Sequence, residues 1–190
     1  MAKQFPGLDA AHRDFIGRQH IFFTASATDS SRINLSPKGH DALRILSDNR
    51  VCYLDRTGSG NDTAAHMKAD GRLTIMFCAF EGAPMILRLY GRGHVLRRGS
   101  PAYGDLLASA YDGVEPPGAR HIVVLDFDLV QTSCGYAVPF YDYREDREQL
   151  TRWAEHKGED GIEAYWREKN VRSLDGLPTG ILDEADAPAE

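Results

Sequence analysis

The sequence is short of the features that most directly announce a function. It has three cysteines in 190 residues, Cys52, Cys78 and Cys134, far apart and each among apolar neighbours. None forms a CxxC pair and any pairing leaves one over, so they read as buried, reduced thiols rather than a disulfide framework. Basic residues are outnumbered, 22 against 28 acidic ones, for a formal net charge of -6. A broad nucleic-acid surface needs the opposite balance to displace counterions from phosphate, so no nucleic-acid partner is expected. No apolar run is long enough to cross a bilayer and the first seven residues carry no apolar leader, which points to a cytoplasmic protein with no membrane partner. The histidines show no HExxH or similar spacing, so no metal site is expected. A GxSxG elbow and a Walker loop are also missing.

What remains is ordinary for one globular domain: 42% hydrophobic and 26% charged residues. Apolar spacing predicts a helix over 9–17 and a strand over 21–25. A turn cluster at 28–31 leads to a return strand over 32–36, stopped by Pro37 and Gly39. Further strands are expected at 50–55, 72–80, 85–96 and 121–132, with helices at 62–69 and 101–111. Residues 39–49 read as irregular. Beyond Asp142 the chain turns polar and amphipathic, with helical segments over 147–156 and 161–169, and the acidic tail 183–190 reads as disordered. Many strands joined by strand-to-strand turns favour an antiparallel barrel over a doubly wound sheet.

Three stretches carry chemistry. In Arg32-Ile33-Asn34-Leu35-Ser36-Pro37-Lys38, strand alternation puts Arg32, Asn34 and Ser36 on one face, with Lys38 continuing it if the chain stays extended. That is a row of donors backed by an apolar face, suited to the edge of a flat heterocycle or to an anion. It is equally readable as the solvated outer face of a barrel strand. In Thr57-Gly58-Ser59-Gly60-Asn61-Asp62-Thr63, a glycine-rich strand exit opens a helix, and Ser59, Asn61 and Thr63 add donors. Free N–H groups at such a place suit a phosphate, although a plain helix cap accounts for the stretch almost as well. In the strand around Leu87-Arg88-Leu89-Tyr90-Gly91-Arg92-Gly93, Arg88 lies in the most hydrophobic part, where an unpaired charge is costly, so it is expected to meet an anion or ligand. A partly exposed barrel face carrying surface arginines is the competing reading. Gly91 and Gly93 suggest a bulge or a close backbone approach.

Taken in order, these stretches resemble the FMN-binding split-barrel family related to pyridoxamine 5'-phosphate oxidase. The resemblance runs through Arg32 to Gly39, Tyr53 to Asn61 with Thr63-Ala64-Ala65-His66, Leu73 to Phe77, Leu87 to Gly91, Gln131 to Pro139, and Ser173-Leu174-Asp175-Gly176-Leu177-Pro178-Thr179-Gly180. It implies a mainly β (α+β) fold: a six-stranded antiparallel split β-barrel with flanking helices over 1–141, and a C-terminal helical extension over 142–182. It also implies a homodimer with FMN at the subunit interface, where Arg32, Asn34, Ser36, Lys38, Ser59, Asn61, Thr63 and Arg88 would bind the cofactor. The expected activity is an FMN-dependent oxidoreductase taking a small redox substrate such as NAD(P)H. The alternative is a non-catalytic carrier of flavin, deazaflavin or haem on the same barrel. The oxidases of the family hold a substrate phosphate with an Arg- and Trp-containing tail; this chain ends differently, so oxidation of pyridoxamine phosphate is not expected.

Overall fold

The computed structural model describes residues 2–183, so the acidic tail expected to be disordered lies, from residue 184 on, outside the described residues. Eight strands form one antiparallel sheet: β1 (Lys3–Phe5), β2 (Phe22–Ser26), β3 (Asn34–Lys38), β4 (Leu43–Ile45), β5 (Arg50–Arg56), β6 (Arg72–Cys78), β7 (Ile86–Arg97) and β8 (Ala119–Ser133). Their order is β3-β2-β6-β7-β8-β5-β4, with β1 added to β8. The six longer strands are those the alternation predicts, and they make the split barrel. Two strands of three residues, β1 and β4, lengthen the sheet beyond six. β4 falls where the sequence reads as irregular, because a strand that short is set by its pairing with β5 rather than by its own pattern. β3 runs through Pro37 instead of stopping there; on an edge strand the missing N–H can face the unpaired side.

The barrel closes on fully buried aliphatics, among them Val51, Ile75, Leu87, Leu89, Val123 and Leu125. Each contributes roughly 1.5–3 kcal/mol by leaving water. Gly91 stands at a register shift in the β7–β8 pairing, and a Cβ there would lie 2.0 Å from the Asp126 carbonyl oxygen. The close approach suggested by the glycines is therefore between two backbones, and no other residue fits.

Among the described residues, four α-helices accompany the sheet. α1 (Ala10–Gly17) starts from an Asp9–His12 capping box, and α3 (Pro101–Ala110) from Ser100 with proline in its first turn. α2 (Asp62–Ala69) buries Ala64, Ala65 and Met67 against one end of the barrel. The two C-terminal helical segments merge into one, α4 (Gln149–Tyr165), kinked where Gly158 adopts φ 64°, and a π-helical turn Trp166–Asn170 follows. Trp166 fastens this extension by donating its indole N–H to Thr57 Oγ1 at 2.8 Å. Cys52 and Cys78 are buried, and burial raises both thiols. Cys134 is exposed, against expectation, because the chain leaves the sheet at Ser133. No helix is long and apolar enough to cross a membrane among the described residues.

Candidate functional site at the split of the barrel

The register decides which way the β3 donors point. Lys38, Ser36 and Asn34 stand opposite Phe22, Thr24 and Ser26, whose side chains fill the barrel. The polar row therefore turns inward, and the side expected to be covered, Ile33 and Leu35, is 77% and 65% exposed. The alternation holds, but the face it presents to solvent is the apolar one.

Inside, the donors are consumed by the protein. Ser36 Oγ donates to Asn34 Oδ1 (3.1 Å), and Asn34 Nδ2 donates to Thr63 Oγ1 (2.9 Å) and Ser26 Oγ (3.2 Å). Ser26 in turn meets His66 Nδ1 at 3.0 Å. Lys38 crosses the split from β3 to β5, where its ammonium donates to Asp55 Oδ1 at 2.5 Å. The other Asp55 oxygen receives Arg120 Nη2, also at 2.5 Å, and Arg120 Nη1 continues to Gly60 O and to Asn170 Oδ1. Burial pushes the Asp55 carboxyl up, but the Lys38 and Arg120 charges overrule it and hold the group well below the usual carboxylate range. His121 lies beside it, 3.2 Å from Asp55 Oδ2 but poorly aligned for a hydrogen bond; burial lowers its pKa against the pull of Asp55, which favours the neutral ring.

The loop after β5 is held from behind. Asn170 Nδ2 donates to Gly58 O (3.1 Å), Arg120 to Gly60 O (3.0 Å), and Asn61 Nδ2 to Asn170 O (3.3 Å). With these carbonyls drawn inward, the backbone N–H groups of Gly58, Ser59 and Gly60 have no acceptor among the described residues, and all three residues are exposed. Asn61 and Thr63 are buried, and Asn61 Oδ1 has no partner among the described residues. Arg32 lies outside β3 and pairs with Asp175, while Leu174 N donates to Asp62 Oδ1 at 2.8 Å.

Arg88 belongs to the opposite side of the sheet. Cross-strand pairing sets Pro37, Phe23, Met76, Arg88 and Gln131 in one row along the outer face, apolar at the β3 end and polar at the β8 end. Arg88 is half-buried, reaches Ser133 Oγ at 3.4 Å, and has no carboxylate partner among the described residues. Two cavities open beside the split. One, of about 430 Å³, is lined by Lys38, Arg44, Arg56, Tyr111 and Pro116; the other, of about 980 Å³, lies beneath residues 141–147. Lys38 borders both.

The eight expected residues thus fall into three groups: Asn34, Ser36, Lys38, Asn61 and Thr63 inside, Arg32 and Ser59 at the loop, Arg88 outside. Sequence reasoning passes over Asp55, Arg120, Asn170 and Asp175. The signal for Asp55 is present, since a carboxylate following Val51-Cys52-Tyr53-Leu54 needs a buried partner for the reason given for Arg88.

Similarity to known proteins agrees with this architecture. A family described as Pyridoxamine 5'-phosphate oxidase matches residues 8–134. The Pyridoxamine 5'-phosphate oxidase family protein ustO of Aspergillus flavus is 39% identical over 185 residues, covering 87% of this chain and 73% of that protein. Among solved structures, a histidine-to-alanine variant of HupZ from Group A Streptococcus superposes with a TM-score of 0.52 at 16% identity, covering 66% of this chain and 98% of that one. A putative pyridoxamine 5'-phosphate oxidase from Lactobacillus delbrueckii gives 0.51 at 16% identity, covering 66% and 94%. At that identity the two structures speak for the fold alone.

Proposed function

The chain belongs to the pyridoxamine 5'-phosphate oxidase family, and from that premise we propose that it is a flavoprotein: an oxidoreductase that passes hydride or electrons through FMN held between the subunits of a homodimer. The observation that carries the reading is the Gly58–Gly60 loop. Its exposed N–H groups lack acceptors among the described residues while the Gly58 and Gly60 carbonyls are tied down behind it, which is an arrangement receptive to an anion. With the Ser59 hydroxyl, and with Arg32 linked to the loop through Asp175 and the Leu174–Asp62 contact, this loop would hold the phosphate end.

The outer sheet face offers the complementary surface for a flat ring: apolar area at Phe23 and Met76, hydrogen-bonding groups at Arg88 and Gln131. Arg88, with no carboxylate among the described residues, would balance charge developing on the ring. The bound flavin supplies the redox chemistry, and the protein's task is to hold and orient it and to control what reaches it. Exposed Ile33 and Leu35 support a second copy of the chain as the cover of this face.

The carrier reading, for flavin, deazaflavin or haem, has one observation in its favour. Among the titratable groups at the split, Lys38 and Asp55 are engaged with one another and His121 is buried beside them, which suits holding a ligand better than moving protons to a substrate. The visible spectrum of the purified protein tests both readings. Flavin absorbance is expected, and its bleaching by NAD(P)H with recovery in air separates the oxidoreductase from the carrier. A colourless protein that takes up no added FMN would overturn the flavin assignment.

A further inference from the structure

The C-terminal turn brings an anion of its own to the loop that would receive the phosphate. Ser173 to Gly176 is braced from several sides: Gly176 N donates to Ser173 O (2.9 Å), Ser173 N to Leu177 O (2.9 Å), and Arg172 Nη1 to Gly176 O (2.8 Å), with Gly176 in the left-handed region at φ 83°. The turn docks through Leu174 N on Asp62 and through Asp175, which uses both carboxylate oxygens on one residue. Oδ2 accepts the Arg32 backbone N–H at 2.8 Å, and Oδ1 meets the Arg32 guanidinium. Asp175 is only 18% exposed at its side chain whereas Arg32 is 73% exposed. The carboxylate is therefore the pinned partner and the guanidinium the movable one.

Asp62 adds a second negative charge; one of its oxygens is held by Leu174 N, and the other lies close to Gly60. The guanidinium on which this turn docks is thus already neutralised, and Asp62, bound to the same turn, adds a further carboxylate next to the loop. A dianionic group at Gly58–Gly60 must win Arg32 from Asp175, and a ligand without that charge has nothing to win.

We infer that Asp175 is a specificity-determining residue: by holding Arg32, it sets how strongly the site distinguishes a phosphate-bearing flavin from the same flavin without phosphate. The inference rests on the flavin reading above. The phosphate gains Arg32 only as Asp175 loses it, so binding of FMN is linked to loosening of the C-terminal turn, and binding of riboflavin is not.

Dissociation constants for FMN and for riboflavin, from quenching of flavin fluorescence, test this on the full chain, on Asp175→Asn and on Arg32→Gln. Asparagine keeps an oxygen for the Arg32 backbone N–H while removing the charge. Asp175→Asn should tighten FMN by about three- to tenfold, the scale expected for partly exposed charges acting on a dianion, and leave riboflavin within about twofold. The gain should shrink at high salt, where exposed charges are screened. Arg32→Gln should weaken FMN and spare riboflavin, which keeps the question decidable if the first variant folds poorly. Equal movement of both ligands, or no movement of FMN in either variant, would overturn the role of Asp175. Failure of both flavins to bind the unaltered chain and both variants would instead overturn the flavin reading, and this inference with it.

Discussion

Replacing Asp55 by asparagine is the most revealing perturbation of the split. The carboxylate is 4% exposed at its side chain, as is that of Arg120, and it also neutralises Lys38 from β3. Asparagine preserves the shape and removes the charge, leaving a guanidinium with only neutral acceptors, the asparagine oxygen together with Gly60 O and Asn170 Oδ1, and an ammonium whose carboxylate partner is gone. Breaking a buried ion pair from one side costs about 3–5 kcal/mol, because the remaining charge stays desolvated. For a chain of this size that corresponds to a fall in Tm of roughly 6–20 °C. Urea unfolding followed by tryptophan fluorescence reads it directly, since Trp166 is fastened to Thr57 two residues from Asp55. A loss below about 1 kcal/mol, the value of an exposed pair, would refute the argument that the cluster is desolvated. The double variant Asp55→Asn with Arg120→Met should recover part of the loss, because it removes a stranded charge as well as its partner.

The same cluster sets a pH dependence. Asp55 titrates in the fold well below its ordinary 3.8, and His121 below its ordinary 6.5. In both cases the unfolded chain takes up a proton before the native one, so stability is fully present above the ordinary value and is lost on acidification. Chemical unfolding should therefore show stability falling below about pH 6.5 through His121, and again below about pH 3.8 through Asp55. In Asp55→Asn the lower step should shrink by the share of Asp55, leaving the part carried by other lowered carboxylates such as Glu115 beside Arg98. Unchanged stability of the unaltered chain from about pH 7 to 5 would contradict a buried neutral His121. Gly91→Ala should cost about 1–3 kcal/mol or more, since its Cβ meets backbone at 2.0 Å; Gly104→Ala, with nothing within 4 Å inside α3, should stabilise by about 0.5–1 kcal/mol in the same melts. Arg88→Ala should weaken FMN retention on gel filtration, and full retention would remove Arg88 from the site. Leu35→Asp should move the elution volume from dimer to monomer if the exposed face of β3 is the subunit contact.

Much of this architecture can be read from local pattern. Alternation marks the six longer strands, the Ser100-Pro101 step announces α3, and Gly91 with Gly93 announces the bulge, because each depends on residues close in sequence. Parity along Asn34-Leu35-Ser36 is also legible. Its direction is not, since period two states which residues share a face and leaves open which face meets the core. Cys134 shows the same limit at a strand end: apolar neighbours suggest burial, and the exit of the chain from the sheet removes it.

The sequence by itself determined an acidic, antiparallel, strand-rich chain with a glycine-rich loop leading into a helix, because hydrophobic period, turn residues and net charge are properties of neighbouring positions. Tertiary structure decided who holds whom. Lys38 is drawn to Asp55 across the split, Arg120 and Asn170 pull the loop carbonyls inward, and Asp175 reaches Arg32 from 143 residues away. A charge's partner is chosen by which side chains the folded backbone brings within a few ångströms and out of water, and no spacing along the chain encodes that distance.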